Sequence, residues 1–160
     1  MDEAFNRLIN QTVELELNIA DLYQLFHDQQ PSDSDFWWKL SLEEKNHAAI
    51  LRAGVKYFAP LGRFPKTLLV NSLGEIENEN SKVRDIIDRC RENPPSRDEA
   101  FRVAVDLEMS GAEMHYQTFM SQHAENKAAE VFRRLNKEDK DHIDRIICYM
   151  NDNNIPLLEK

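Results

Sequence analysis

Two short acid-x-x-His runs, Glu44-Lys45-Asn46-His47 and Asp139-Lys140-Asp141-His142, constrain this chain more than any other feature. Each interrupts a stripe of apolar residues spaced three or four apart, the period of a helix with one buried face. The first stripe runs Trp37, Leu40, Glu44, His47, Leu51, Gly54, Phe58, and the second Ala128, Phe132, Leu135, Asp139, His142, Ile146, Tyr149. Residues three apart project from one side of a helix, so each acid and its histidine can grip one ion. A lone acid interrupts each of two further stripes. One is Phe5, Ile9, Thr12, Glu16, Ile19, Tyr23, Phe26, and the other is Phe101, Ala104, Glu108, Gly111, His115, Phe119. The run follows its lone acid by 28 residues in the first half and 31 in the second. That repetition reads as a weak internal duplication.

Turn-forming residues separate these stripes into four long helical segments, about 2–29, 34–59, 97–122 and 127–153. Ser96-x-x-Glu99 reads as a capping box opening the third, and Asn126 is a candidate cap for the fourth. Residues 66–92 join the halves. Leu68, Leu69, Leu73 and Ile76 suit one short amphipathic stretch, and Val83, Ile86, Ile87 and Cys90 another. This connection is too long for a tight turn and lets helix 3 start at the same end of the bundle as helix 1. The expected fold is all-α, a ferritin-like four-helix bundle with a long, partly helical crossover between helices 2 and 3. One domain over residues 1–160 is expected from the length.

Charge narrows the partners. Twenty Lys and Arg against 29 Asp and Glu leave a net charge of −9, which suits attraction of cations and not a nucleic-acid surface. No apolar run approaches the roughly 20 residues of a membrane-spanning helix, and the acidic first twenty residues are unlike an export signal. Cys90 and Cys148 form no CxxC pair, so two buried free thiols and a cytoplasmic location are expected.

The electrostatics of the stripes demand a partner. Glu16, Glu44, Glu108 and Asp139 would converge on one bundle interior, where each bare carboxylate costs several kcal/mol. No Arg or Lys shares those stripe positions. Two divalent cations would balance four negative charges, leaving neutral His47 and His142 as further ligands. Carboxylate oxygens with one imidazole per ion suit iron or manganese better than zinc.

One Glu from each of two helices, with Glu-x-x-His from each of the other two, is the ligand set of ferritin-like di-iron proteins. On these motifs, and on the spacing from Glu16 to Tyr23, the chain resembles the rubrerythrin branch of that superfamily over nearly its whole length. The resemblance implies two iron ions, with manganese or a mixed pair as alternatives, held by Glu16, Glu44, His47, Glu108, Asp139 and His142. It implies an oxidoreductase that reduces hydrogen peroxide or oxidises ferrous iron with peroxide or dioxygen; the alternative is an iron-binding or storage protein without a catalytic electron cycle. A homo-oligomer, a dimer, is the expected assembly. Three features depart from the branch. Asp139 stands where a Glu is usual, Gly111 stands where rubrerythrins carry a further acid, and no rubredoxin module is present. Electrons would therefore come from a separate donor protein or from the substrate itself.

Other residues have narrower readings. Tyr23 either bonds a ligand carboxylate, relays a proton or radical as a catalytic residue, or simply packs. His115 is an extra ligand, a supporting group or a packed core histidine. Gly111 opens space beside the ions or lets helices approach closely. Of Trp37 and Trp38, one is expected in the core and one at the surface or an interface. Glu43 and Glu138 point about 100° from their neighbouring acids and are expected in solvent. His27 and His123 are expected as polar surface.

Overall fold

The computed structural model describes residues 3–65, 69, 72–110, 127–135 and 142–156. Among the described residues it holds six α-helices and no strand: α1 (Glu3–Gln29), α2 (Ser34–Phe58), α3 (Leu73–Glu92), α4 (Arg97–Glu108), α5 (Lys127–Leu135) and α6 (His142–Asp152). No described helix is long and apolar enough to cross a membrane.

The ends follow the local chemistry. Pro31 opens a short 3-10 turn, Pro31–Asp33, that turns α1 into α2. After a second 3-10 turn, Ala59–Leu61, Gly62 takes φ 64°, the left-handed conformation that glycine adopts without strain. Ser96 and Glu99 form the expected capping box: Ser96 N–H donates to Glu99 Oε2 at 2.8 Å, and Glu99 N–H donates to Ser96 Oγ at 3.4 Å. At the end of α6, Ile155 N–H donates to Met150 O at 2.8 Å with Asn154 at φ 55°.

Contacts along the helices give their directions. Arg7 bonds Glu77, Asn18 bonds Asn80 at 2.8 Å, and Gln29 bonds the Cys90 carbonyl at 2.9 Å, so α3 climbs α1 in parallel. Residues expected to form two short stretches thus form one 20-residue helix, with no proline to break it and Gly74 confined to its first turn. Its buried seam is Ile76, Asn80, Val83, Ile87 and Cys90, and Leu69 is buried just before it. Because α3 spans the bundle, α4 begins at the far end. Arg97, its first residue, makes a two-point ion pair with Asp33 (2.7 and 2.8 Å). Helix 3 of the sequence reading therefore starts where α1 ends, not where α1 starts. From His142 beside Glu44 to Tyr149, whose hydroxyl donates to Asp33 at 2.9 Å, α6 runs antiparallel to α2.

The helix expected over 97–122 stops at Glu108, where Ser110 N–H donates to Leu107 O in a tightened turn. Ser110 and Gly111 are poor residues for continuing a helix. Gly111, His115 and His123 lie outside the described residues, as do Asn126, Asp139 and the link between α5 and α6.

Two apolar clusters sandwich a polar belt. Trp37, Tyr23, Phe26, Phe101, Leu40 and Ile146 fill one end, with Trp37 and Phe101 ring centroids 4.4 Å apart. Ile9, Val13, Leu51, Phe64, Ala129 and Phe132 fill the other. Trp38 is exposed, as one of the tryptophan pair was expected to be. Cys90 and Cys148 are both free, but only Cys90 is buried, so the expectation of two buried thiols holds for one. His27 is half-buried rather than plain surface, because Nδ1 donates to the Ser34 carbonyl at 2.9 Å and the ring lies against Trp38.

The lower cluster explains the glycine inside α2. A Cβ on Gly54 would lie 1.9 Å from Cζ of Phe132, whose ring end rests on the bare backbone. Gly54→Ala is therefore expected to lower the melting temperature. Overpacking of about 1–3 kcal/mol outweighs a helix-propensity gain of roughly 1 kcal/mol. A variant as stable as the parent in thermal melts would show that Phe132 moves aside without cost.

Candidate metal centre

Between the clusters the stripes deliver their polar residues to one place. Glu16 comes from the middle of α1, Glu44 and His47 from α2, Glu108 from the last turn of α4 and His142 from the first turn of α6. All five are buried. Each is flanked by core residues on its own helix, such as Val13 and Ile19 around Glu16, so the periodicity that buries the core buries these groups too.

Glu44 is central. Its Oε2 lies 3.0 Å from His47 Nδ1, and its Oε1 lies 2.8 Å from His142 Nδ1. Glu16 Oε2 approaches His47 Nδ1 at 3.4 Å, and Glu108 Oε1 approaches His142 Nδ1 at 3.4 Å. Two triads result, Glu16–Glu44–His47 and Glu44–Glu108–His142, each with donor atoms within 4.8 Å of one another. The imidazoles lie nearly parallel, with ring centroids 5.4 Å apart at 18°. Asp139, the sixth expected ligand, lies outside the described residues.

Tyr23 reaches the same centre. Its hydroxyl donates to Glu108 Oε1 at 2.7 Å while its ring stacks on Trp37 at 5.8 Å. The bond takes up one lone pair of Glu108 and fixes the direction of the carboxylate.

The charges balance through protons in the absence of a cation. Burial pushes Glu16 up to about 7 against the partial relief of His47. Burial acts on Glu44 as well, but His142 and His47 outweigh it and hold the carboxyl below the usual range. Both imidazoles are desolvated, yet Glu44, with Glu16 on one side and Glu108 on the other, raises each well above 6.5. Sequence reasoning found no neutralising group on the stripes; the histidines themselves can be that group.

Three acceptor oxygens of the centre, Glu16 Oε2, Glu44 Oε1 and Glu108 Oε2, stay without a well-formed hydrogen bond, as does the outer nitrogen of His142, Nε2. Such buried oxygens are costly unless something positive meets them. Two donors at right angles on one ion, each about 2.1 Å away, sit about 3 Å apart. The N···O separations of 2.8–3.4 Å match that span. Oxygen-rich donors with one imidazole on each side suit iron or manganese, so the residues present fit the expected ions.

Glu43 contradicts its expected place in solvent. Its side chain is 20% exposed, and Oε2 lies 3.1 Å from His142 Nε2. Arg145 Nη1 donates to its Oε1 at 2.8 Å, and Nη2 pairs with Oε2. Burial would raise this carboxyl, but Arg145 and His142 draw it down to about 2. A position 100° off the buried stripe can face a neighbouring helix rather than water, and here His142 and Arg145 of α6 reach Glu43 across that gap. The signal available in sequence was Arg145, one turn after His142 and able to reach a partner on an adjacent helix. Glu138 and His115 lie outside the described residues.

In comparisons with known proteins, no family model and no solved structure matches the chain.

Proposed function

We propose that this chain is a ferritin-like di-metal carboxylate protein, a non-haem di-iron oxidoreductase that reduces hydrogen peroxide or oxidises ferrous iron. One observation carries the reading: Glu44 directs its two oxygens at the Nδ1 atoms of two histidines, each with a further buried glutamate beside it. That is the arrangement of a carboxylate shared between two cations. The helix order supports the ferritin-like arrangement, since α3 crosses the bundle and leaves α2 and α4 running the same way.

Glu16 with His47 would hold one ion, Glu108 with His142 the other, and Glu44 both. Asp139 is proposed as the remaining ligand from its place three residues before His142. The iron pair, when bound, supplies the electrons for reduction of an O–O bond. The chain's own residues bind, orient and exclude water. Glu44 would be the one side chain held in common by both ions. Tyr23 holds Glu108 in place and keeps a phenolic proton 2.7 Å from its Oε1, a position from which that proton can move to the carboxylate. The apolar clusters on either side keep the dielectric low, which strengthens every charge interaction between them.

The expected result is two ions per chain when metal-free protein is titrated anaerobically with ferrous iron and bound metal is counted by elemental analysis. Saturation at one ion per chain would refute the paired centre. Repeated peroxide turnover with an external reductant is the expected activity, whereas stoichiometric oxidation with growth of an iron core would place the chain with storage proteins.

A further inference from the structure

We propose that Glu43, clamped by Arg145, is the positioning residue that decides which nitrogen of His142 faces the centre. The inference rests on the two-ion reading above and goes beyond its ligand set. Consecutive carboxylates of α2 bracket one imidazole of α6: Glu44 Oε1 lies 2.8 Å from Nδ1 and Glu43 Oε2 lies 3.1 Å from Nε2. An imidazole that donates a lone pair to a cation through one nitrogen keeps its proton on the other. An ionised carboxylate only accepts, so Glu43, 3.1 Å from Nε2 though without a well-formed hydrogen bond in the metal-free arrangement, would draw that proton to Nε2 when an ion is bound and leave Nδ1 to the side of Glu44 and Glu108. A charged acceptor on the outer nitrogen also makes the inner one a stronger donor.

Arg145 makes this support directional. It sits three residues after His142 on the same helix, and its two terminal nitrogens meet the two oxygens of Glu43. The plane of the Glu43 carboxylate is thereby fixed relative to the imidazole it faces. A part-exposed Arg–Glu pair alone contributes little to stability. The group that gains most from the clamp is His142, which is buried with two ring nitrogens to commit. Glu43 belongs to α2 and His142 to α6, so the support also registers one ligand-bearing helix against the other.

The test uses the full chain and cobalt(II), whose visible absorption reports the coordination of each ion. The parent is expected to bind two cobalt ions. Glu43→Ala should weaken one of them by about 10–100-fold and leave the other unchanged. Glu43→Gln, whose amide oxygen can accept from Nε2–H, should recover most of the loss. In the zinc-loaded parent, nitrogen-15 NMR should place the His142 proton on Nε2, which provides a readout even where the alanine variant folds poorly. Equal cobalt affinities in the parent and Glu43→Ala, or a zinc-loaded parent with the His142 proton on Nδ1, would overturn the inference and leave the two-ion centre standing. A parent that binds no cobalt overturns the two-ion reading, and this inference with it.

Discussion

Glu44→Gln is expected to cost the chain both ions at once, while Glu16→Gln or Glu108→Gln costs one. The substitution keeps the side-chain volume and removes the single charge on which both triads depend. The loss at each site should exceed the roughly 10–100-fold typical of an outer-shell change, because the residue proposed to hold both ions is the one changed. The metal-free protein should suffer as well. His47 and His142 both lean on the Glu44 anion, and breaking one partner out of a buried ion cluster typically costs about 3–5 kcal/mol. Cobalt titration and thermal melting check the two parts. An ion surviving at full affinity in Glu44→Gln would mean that Glu44 serves one site only.

Metal-free protein is expected to be most stable near pH 5 and to weaken on both sides. Glu16 is raised from 4.5 to about 7, so the folded state holds a proton that the unfolded chain releases. Its contribution is full below 4.5 and is lost as the pH rises to 7, a fall of about 3 kcal/mol. His47 and His142 act in the same sense, since their raised values give stability that is full below 6.5 and disappears as the pH climbs through their folded values. Glu43 and Glu44 act in the opposite sense. Both are depressed, so their contribution is full above 4.5 and falls away below it, for Glu43 as the pH drops towards 2. Bound cations should flatten the neutral limb by replacing the protons. Melting temperatures of metal-free and metal-loaded protein between pH 4 and 9 decide this, and a metal-free protein equally stable at pH 5 and pH 8 would contradict it.

The clustering of the candidate site was legible in part because burial and chemistry share one period. Glu16, Glu44, His47, Glu108 and His142 occupy stripe positions, and all five are buried at one level of the bundle. The cap at Ser96 was equally visible, because its signal is local and chemical. What escaped depends on neighbours in space. Helical period ranks positions by angle to one buried face, whereas α2 packs against α1 and also meets α6. Glu43 falls in the second contact and was assigned to solvent. The direction of α4 escaped for a similar reason. Composition shows that residues 66–92 can be helical, but only packing of Asn80 against Gln11 and Asn18 shows that the helix climbs α1 along its length.

The order of the chain has a kinetic consequence. The described donors run from residue 16 to residue 142 and sit on four helices, with the crossover helix between the second and third of them. Closing so wide a loop is entropically slow, and contacts distant in sequence form late. The α1–α2 hairpin can assemble from local contacts and already carries Glu16, Glu44 and His47. Glu108 and His142 arrive only when α4 and α6 dock. The hairpin alone would present only part of the candidate site, two acids and one imidazole, with the side that α4 and α6 cover left open to water. Glu108 would join Glu16 and Glu44 only at docking, so the crowding of all three carboxylates is met at the final step of collapse, where the apolar clusters on either side oppose it.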